Sequence, residues 1–378
     1  TRHGVRRQRQ MCIRDRVDGY AKYPPNDGTP DFRRATVNWL NRRYRLNEGL
    51  INPDSMILPL SGTREGLFST ALALVPHEAI RTQTNILIPN PFYQCYAAAG
   101  MNTGAETLFV PALAETNFLP DYARLLDDVL ARTAAAYVCS PANPQGTIAG
   151  MDYWTTLLKL AIEHDFVVIA DECYAEIYDQ EPPVGALEAA AALKAAGHEN
   201  VLDHLLCFHS LSKRSNLPGL RSGFVVGGEM LMTRLRQLRA YGGAPSPLPV
   251  YAAATAAWND DAHVEENRQL YRQKFDLAEQ ILGDVPGFYR PPAGFFLWLD
   301  VSSSGLNSEE ATVKLYREAG IKVLPGKYLA TDMQPGAPGV PGTVTTPANP
   351  GENYIRIALV HDVATTEKSL ISVNQILF

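Results

Sequence analysis

Short apolar runs recur along the chain, and each stops at a cluster of small or polar residues. Asn85-Ile86-Leu87-Ile88 stops at Pro89-Asn90-Pro91-Phe92-Tyr93, and Ala135-Ala136-Tyr137-Val138-Cys139 at Ser140-Pro141-Ala142-Asn143-Pro144. Phe166-Val167-Val168-Ile169-Ala170 stops at Asp171-Glu172-Cys173-Tyr174, and Leu205-Leu206-Cys207-Phe208 at a loop entered through Ser210. Apolar runs bounded by turn residues predict strands buried on both faces of a parallel sheet; periodicity alone leaves buried helix open. Helical patterns lie between them. From Tyr153 to His164, Trp154, Leu157, Leu158 and Ala161 share one face. Strand and helix in alternation predict an α/β sheet covered by helices on both sides. Ligands of such sheets bind beyond the carboxyl ends of the strands, so the polar clusters should converge on one crevice.

The pattern changes toward the C-terminus. Asp261 to Leu282 predicts a long helix joining two domains, with Val264, Leu270, Tyr271, Phe275, Leu277, Ala278 and Ile281 in its apolar stripe and Gly283 and Pro286 ending it. Phe295 to Leu299 and Tyr354 to Leu359 predict strands. Ser308 to Gly320 predicts a helix whose capped, acid-rich first turn is Ser308-Glu309-Glu310. Gln334 to Gly351, rich in Pro, Gly and Thr, reads as a surface loop. This part is α+β.

Chemistry concentrates in Ser210-Leu211-Ser212-Lys213-Arg214-Ser215-Asn216-Leu217-Pro218-Gly219-Leu220-Arg221, between two predicted strands. A lysine can form a Schiff base with an aldehyde when its neighbours make it available as a neutral amine. Hydroxyls and an arginine fork make a phosphate site. Aldehyde and phosphate together describe pyridoxal 5′-phosphate; an ordinary surface lysine in a polar loop is the alternative. Upstream, Ser61-Gly62-Thr63-Arg64-Glu65-Gly66-Leu67 turns into an amphipathic run from Glu65 to Leu74. Thr63 or Ser61 could cap that helix, whose N-terminus is an anion site or a plain cap.

These motifs, in this order from Tyr20 onward, resemble the class I/II pyridoxal-phosphate aminotransferases of fold type I. The resemblance implies a large domain with a mostly parallel sheet flanked by helices, a smaller α+β C-terminal domain, and a homodimer with shared active sites. It also implies the site roles. Lys213 carries the cofactor through an imine bond and then acts as general base. Asp171 pairs with the pyridine nitrogen and keeps it protonated, so the ring can accept electrons. Asn143 and Tyr174 bond the ring hydroxyl, and Tyr93 stacks on the ring. Gly62, Thr63, Arg64, Ser210 and Arg221 hold the phosphate, and Tyr23 reaches the phosphate of the partner subunit. Arg356, with Asn143 beside it, grips the substrate α-carboxylate; alternation with Ile355 and Ile357 points it away from their face. Read without the resemblance, Asp171 could be a helix cap, Asn143 a turn, Tyr93 packing and Arg356 a surface residue. Glu172 reads as a structural partner rather than a second acid.

The stretch Lys22-Tyr23-Pro24-Pro25-Asn26-Asp27-Gly28-Thr29, with Ser61 to Phe68 and Asn90 to Gln94, resembles the bacterial N-succinyl-L,L-diaminopimelate aminotransferases of lysine and peptidoglycan precursor synthesis. That implies small amino and keto acids as substrates, glutamate as donor and a cytoplasmic location. Arg239 and Tyr241 are candidates for holding the substrate's distal carboxylate. Alternatives are an aminotransferase of aspartate or acetylornithine type, a pyridoxal-phosphate β-lyase, and a ligand-binding regulator; the last would need a DNA-binding module, and none is visible.

Bulk features bound this reading. The 378 residues allow about two domains: 17–265 as the large domain and 266–378 as the small one. Residues 1–16 read as an assembly scar, because Met11-Cys12-Ile13-Arg14-Asp15-Arg16 resembles a translated transposon adapter; an Arg-rich presequence is the competing reading. On the scar reading an N-terminal arm is missing. The net charge of −6 gives no basic footprint for nucleic acid. No apolar run reaches the roughly 18 residues of a membrane helix. Cys95, Cys139, Cys173 and Cys207 lie singly, without zinc or redox spacing, and the eight histidines form no cluster, so no metal is expected.

Overall fold

The computed structural model describes residues 19–20, 22–75 and 82–378; the 1–16 segment lies outside them. Seven strands form the large sheet: β1 (Ile57–Leu60), β2 (Asn85–Asn90), β3 (Glu106–Pro111), β4 (Thr133–Cys139), β5 (Val167–Asp171), β6 (Leu205–Ser210) and β7 (Gly223–Gly227). Their order is β1-β7-β6-β5-β4-β2-β3. The five from β3 to β6 in that order pair in parallel, whereas β7 runs antiparallel to both β6 and β1. The reversal of β7 has a consequence for the site. Its first residues lie at the rim where the parallel strands end, so Arg221, just before β7, joins that rim.

Among the described residues, ten helices of eight or more residues follow one another: α1 (Pro30–Tyr44), α2 (Thr63–Leu74), α3 (Gln94–Met101), α4 (Met151–His164), α5 (Ala186–Ala195), α6 (Glu229–Gly242), α7 (Leu248–Trp258), α8 (Ala262–Leu282), α9 (Ser308–Ala319) and α10 (Val363–Leu377). The pleat of the sheet divides them. Val168 and Ala170 of β5 and Cys207 of β6 share a core with α1, α4, α5 and α7. Val167, Ile169, Leu206 and Phe208 share the opposite core with α2, α3 and α6. Each fully buried Leu, Ile or Phe in these cores contributes roughly 1.5–3 kcal/mol relative to exposure. The face of α4 is as expected, since Trp154, Leu157, Leu158 and Ala161 are its buried residues.

A three-stranded antiparallel sheet, in the order β8 (Phe296–Asp300), β10 (Tyr354–Ala358) and β9 (Leu324–Pro325), forms a third core with α8, α9 and α10. Two details of the sequence reading change here. Leu270 is exposed, and the buried side of α8 instead takes in Arg268 and Lys274. Both are long side chains whose heads find carbonyls: Arg268 bonds Glu176, and Lys274 Nζ donates to the Leu359 carbonyl at 2.8 Å. The cap of α9 is Asn307, not Ser308: its Oδ1 accepts from Glu309 and Glu310 N–H at 3.0 Å each, and Glu310 reaches back to the Asn307 N–H. The 334–351 segment is an irregular loop pinned near its ends by a Met333–Ala348 bridge. Among the described residues no helix is long and apolar enough to cross a membrane, and no cluster could hold a metal.

Candidate active site

The carboxyl ends of β2, β4, β5 and β6, the turn after β1 and the start of β7 surround a cavity of about 490 Å³, closed on the far side by β8, β9 and β10. Thr63, Arg64, Tyr93, Asn143, Asp171, Tyr174, Ser210, Lys213, Arg221 and Arg356 all line it. The sequence residues thus converge as expected. Gly62 lies immediately behind the wall. Tyr23 does not come to this cavity and is fully exposed in the single chain.

The N-terminus of α2 sets one end of the site. Its cap residue is Gly62, at φ 88°, and no side chain caps the helix. Neither Ser61 nor Thr63 does so, because each has another partner: Ser61 Oγ donates to the Ala244 carbonyl, and Thr63 Oγ1 meets Cys173 Sγ at 3.0 Å. The first N–H groups of α2 are therefore left for an anion, with the positive end of the helix dipole behind them. The φ of Gly62 suits glycine, and the Arg221 guanidinium lies against the face where a Cβ would stand. Arg221 is held across the same turn, donating to the Ser61 carbonyl at 3.2 Å and the Pro218 carbonyl at 3.0 Å. Ser210 completes this end; its Oγ accepts from the Ser212 N–H at 3.1 Å and starts the helical turn Leu211–Arg214 that carries Lys213.

Asp171 ends β5 on the α2/α3 side and is buried. Its Oδ2 accepts from the Tyr96 hydroxyl at 2.6 Å and its Oδ1 from the Cys173 N–H at 3.3 Å. Burial pushes its proton affinity up, and the Cys173 and Tyr96 hydrogen bonds, with Lys213 nearby, oppose that. Lys213 is half-buried, with Nζ 4.9 Å from the Phe295 ring centre and 5.7 Å from that of Tyr174. Burial pushes its ammonium below the ordinary lysine value; Arg356 and Arg221 add to this, while Cys173 and Asp171 oppose it. A lysine made easier to deprotonate is what a nucleophilic amine needs.

Opposite, Arg356 Nη1 donates to Asn143 Oδ1 at 2.7 Å, and its guanidinium lies 4.4 Å over the Phe296 ring. Ile355 and Ile357 on either side are buried in the small-sheet core, so the strand alternation holds. Asn143 and Tyr174 both line the cavity wall. Tyr93, half-buried, accepts from Arg64 Nε at 2.5 Å through its hydroxyl.

Several residues in and around the cavity were not singled out from sequence. Tyr96 is one turn along α3 from Tyr93, fully buried, and stacked on Tyr137 at 4.6 Å. The Tyr93-x-x-Tyr96 spacing across a helix start was the available signal. Phe295 and Phe296 were read only as strand, yet they roof Lys213 and Arg356. Cys173, Gln94 and Ser212 also line the wall. The four described cysteines are free, as expected, and Cys139, Cys173 and Cys207 are buried. The two candidates for a distal carboxylate do not serve here. Arg239 is buried against Glu65, with Nε to Oε1 2.6 Å and Nη2 to Oε2 3.2 Å, and its Nη1 is spent on the Pro59 carbonyl at 2.8 Å. Tyr241 is exposed on α6 and absent from the cavity wall.

The donor set fits pyridoxal 5′-phosphate: an uncapped helix end with an arginine and hydroxyls, a buried carboxylate, and a lysine of lowered proton affinity, all in one cavity wall. The family of class I and II aminotransferases matches residues 5–367, and the chain belongs to it. It is therefore an aminotransferase of a pyridoxal-phosphate-dependent family with the fold type I architecture. Among known relatives, the LL-diaminopimelate aminotransferase of Dehalococcoides mccartyi is 30% identical over 364 residues, covering 96% of this chain and 84% of that protein. An LL-diaminopimelate aminotransferase of Syntrophobacter fumaroxidans is 31% identical, covering 90% and 79%. Among solved structures, an aminotransferase from Neisseria meningitidis has 39% identity and a TM-score of 0.86, covering 98% of this chain and 88% of that one.

Proposed function

We propose that the protein exchanges an amino group between glutamate and a diaminopimelate skeleton in the N-succinylated form, a step of lysine and peptidoglycan precursor synthesis in the cytoplasm. The relatives named for LL-diaminopimelate, similar along nearly the whole chain, support the skeleton. One observation favours the succinylated form over the free one. Free diaminopimelate presents a distal ammonium as well as a carboxylate, and the only carboxylate on the described wall is Asp171, buried and engaged by Tyr96. A succinylated distal end is anionic throughout and asks for no acid there.

The roles follow from position. Pyridoxal phosphate, when bound, supplies an electron sink for the substrate's Cα carbanion. Lys213 is placed to hold the cofactor's aldehyde carbon and then to move a proton at the substrate Cα. Asp171 would pair with the ring nitrogen and keep a proton on it. The α2 N-terminus, Thr63, Ser210 and Arg221 hold the phosphate, Tyr93 covers the ring, and Asn143 and Tyr174 face the ring hydroxyl. Arg356 clamps the α-carboxylate and so aligns the Cα–H bond. A homodimer, in which Tyr23 reaches the partner subunit's site, belongs to the same reading.

The test is to measure kcat/KM in both directions with N-succinyl-2-amino-6-oxopimelate, the free LL-diaminopimelate pair, oxaloacetate and N-acetylglutamate semialdehyde. The succinylated pair should lead. A tenfold or larger preference for oxaloacetate would remove the diaminopimelate assignment, and elimination products in place of amino transfer would make the protein a β-lyase. Light scattering settles the dimer.

A further inference from the structure

We infer that Phe118, which is absent from the cavity wall, is a positioning residue for the pair formed by Arg356 and Asn143. This rests on the proposed reading of Arg356 as the clamp for the substrate α-carboxylate. Strand β10 turns alternate residues to one face, so Tyr354 and Arg356 both project away from the core that buries Ile355 and Ile357. Arg356 Nη1 donates to Asn143 Oδ1 at 2.7 Å, while its buried Nε has no partner among the described residues. Tyr354 lies flat on Trp298, ring centres 4.9 Å apart, and meets Phe118 edge to face at 6.4 Å. The other arm is held in a similar way. Two residues beyond Asn143, the carbonyl of the buried Gln145 accepts from the Tyr289 hydroxyl at 2.7 Å, and the Tyr289 ring stacks on Phe118 at 5.4 Å. The contacts close into a circuit that runs from Phe118 through Tyr354, Arg356, Asn143, Gln145 and Tyr289 back to Phe118.

The backbone sets Phe118 apart as well. It lies between β3 and β4 at φ 53°, directly after Asn117 at φ 52°. Asparagine enters the left-handed region readily, whereas a bulky aromatic does so at a cost. A turn that only had to reverse the chain would be served by glycine or asparagine at both positions. Such a conformation persists only where its surroundings over-determine it. Here the Phe118 N–H donates to the Leu113 carbonyl at 2.7 Å, the Leu119 N–H to the Thr116 carbonyl at 3.1 Å, and Thr116 Oγ1 accepts from the Leu113 N–H at 3.2 Å. Leu119, next in the chain, is buried in the core shared with α4. The turn is thus anchored on the large-sheet side and presents a half-buried ring to Tyr289 and Tyr354, at separations where aromatic pairs attract. Removing that ring frees one face of each tyrosine and slackens both arms of the clamp together.

The test is a double-mutant cycle on the holoprotein. It is read by the calorimetric dissociation constant of hexanoate, an unreactive monocarboxylate, and by kcat/KM for glutamate. Phe118→Ala should weaken hexanoate binding and lower kcat/KM by about twofold to thirtyfold, the range for residues that act through packed neighbours. The affinity for pyridoxal phosphate should not change. Arg356→Ala should have a larger effect on both readouts. Adding Phe118→Ala to Arg356→Ala should lower kcat/KM no further, because Phe118 acts only through the clamp. Phe118→Tyr keeps the ring and should recover most of the loss. Phe118→Gly carries no backbone cost at this φ, so it keeps the turn without the ring and should behave as Phe118→Ala. Equal effects of Phe118→Ala in the wild-type and Arg356→Ala backgrounds would make Phe118 a merely structural residue and overturn the inference. Wild-type behaviour of Phe118→Gly would overturn it too. If Arg356→Ala acts and Phe118→Ala does not, the inference alone falls; if Arg356→Ala itself changes neither readout, the clamp reading falls and takes the inference with it.

Discussion

Asp171 and Glu172 are consecutive at the end of β5, and both are buried, yet they belong to different regions of the molecule. Asp171 faces the α2/α3 side, with one oxygen on the Tyr96 hydroxyl and the cavity beyond. Glu172 faces the α1/α5 side. It accepts from the Tyr44 hydroxyl and from the Ala186 N–H, each at 2.6 Å, and lies 3.7 Å from His209 Nε2. On β6 the same division separates Ser210, in the cavity wall, from His209, packed against Trp39. Burial raises the proton affinity of both acids, that of Glu172 to about 7, and pushes His209 down to about 3. Burial and a shifted pKa are therefore no guide to which acid does chemistry. The pleat decides: a strand turns alternate residues to opposite faces, and only one face of this sheet end opens on space.

Breaking the cavity face should have the largest effect. Lys213→Ala should lower turnover by about 10⁴-fold or more, because proton transfer and covalent attachment are both lost. Pyridoxal phosphate should remain bound non-covalently, and borohydride should no longer fix it to the chain. Peptide mapping of the reduced wild type checks the residue; a label on another lysine would move the whole site.

The two acids should then separate by kind of damage. Asp171→Asn should cut kcat by about 10²–10³-fold, as for other groups that stabilise charge forming in a transition state, with little change in unfolding free energy. Glu172→Ala should do the reverse. It leaves the Tyr44 hydroxyl and the Ala186 N–H buried without an acceptor, at a cost of about 2–4 kcal/mol, while kcat of the folded protein stays near wild type. Urea titrations beside steady-state kinetics measure both. Equal kcat losses would mean that the two faces are coupled.

Much of this division could be read from the chain and some could not. The apolar runs ending at Asn90, Ser140, Asp171 and Ser210 are continuous because parallel strands are covered on both faces, so the strands and their chemical ends were legible together. The same continuity hides which side each residue faces: Asp171 and Glu172 look alike in a run without alternation. Strands β1 and β3 and the reversal of β7 come from long-range pairing that no local pattern encodes. The bare helix end at Gly62 was unexpected because Ser61 and Thr63 are good caps by type; their hydroxyls are taken by Ala244 and Cys173, which are distant in sequence. Arg239 failed as a substrate ligand for the same reason, since its partner Glu65 is 174 residues away. Tyr96 was missed because a tyrosine at helical spacing after Tyr93 is ordinary core.

Tyr96 offers a finer cut within the cavity face. Tyr96→Phe keeps the ring stacked on Tyr137 and removes only the donor to Asp171. That hydrogen bond favours the carboxylate, so its loss should raise the proton affinity of Asp171 further. The acid limb of the kcat profile should move to higher pH, and kcat on the plateau should fall by about tenfold. An unmoved acid limb would show that Asp171 does not depend on Tyr96 for its charge.

The smallest expected effect lies on the other face and concerns pH rather than rate. Glu172 holds its proton to about pH 7 in the folded chain, whereas in the unfolded chain it ionises at an ordinary glutamate value of about 4.3. Between those values the folded state binds more protons than the unfolded one, so stability falls as pH rises through the window. Below it the residue is neutral in both states and imposes no cost. Glu172→Gln keeps an acceptor for Tyr44 and removes the ionisation. The variant should therefore match the wild type near pH 4.5 and gain on it steadily up to about pH 7, by an amount on the order of 3 kcal/mol at most. Unfolding free energies at several pH values decide this. A difference that is constant with pH would mean that Glu172 is already ionised throughout, stabilised by the nearby Arg43 guanidinium.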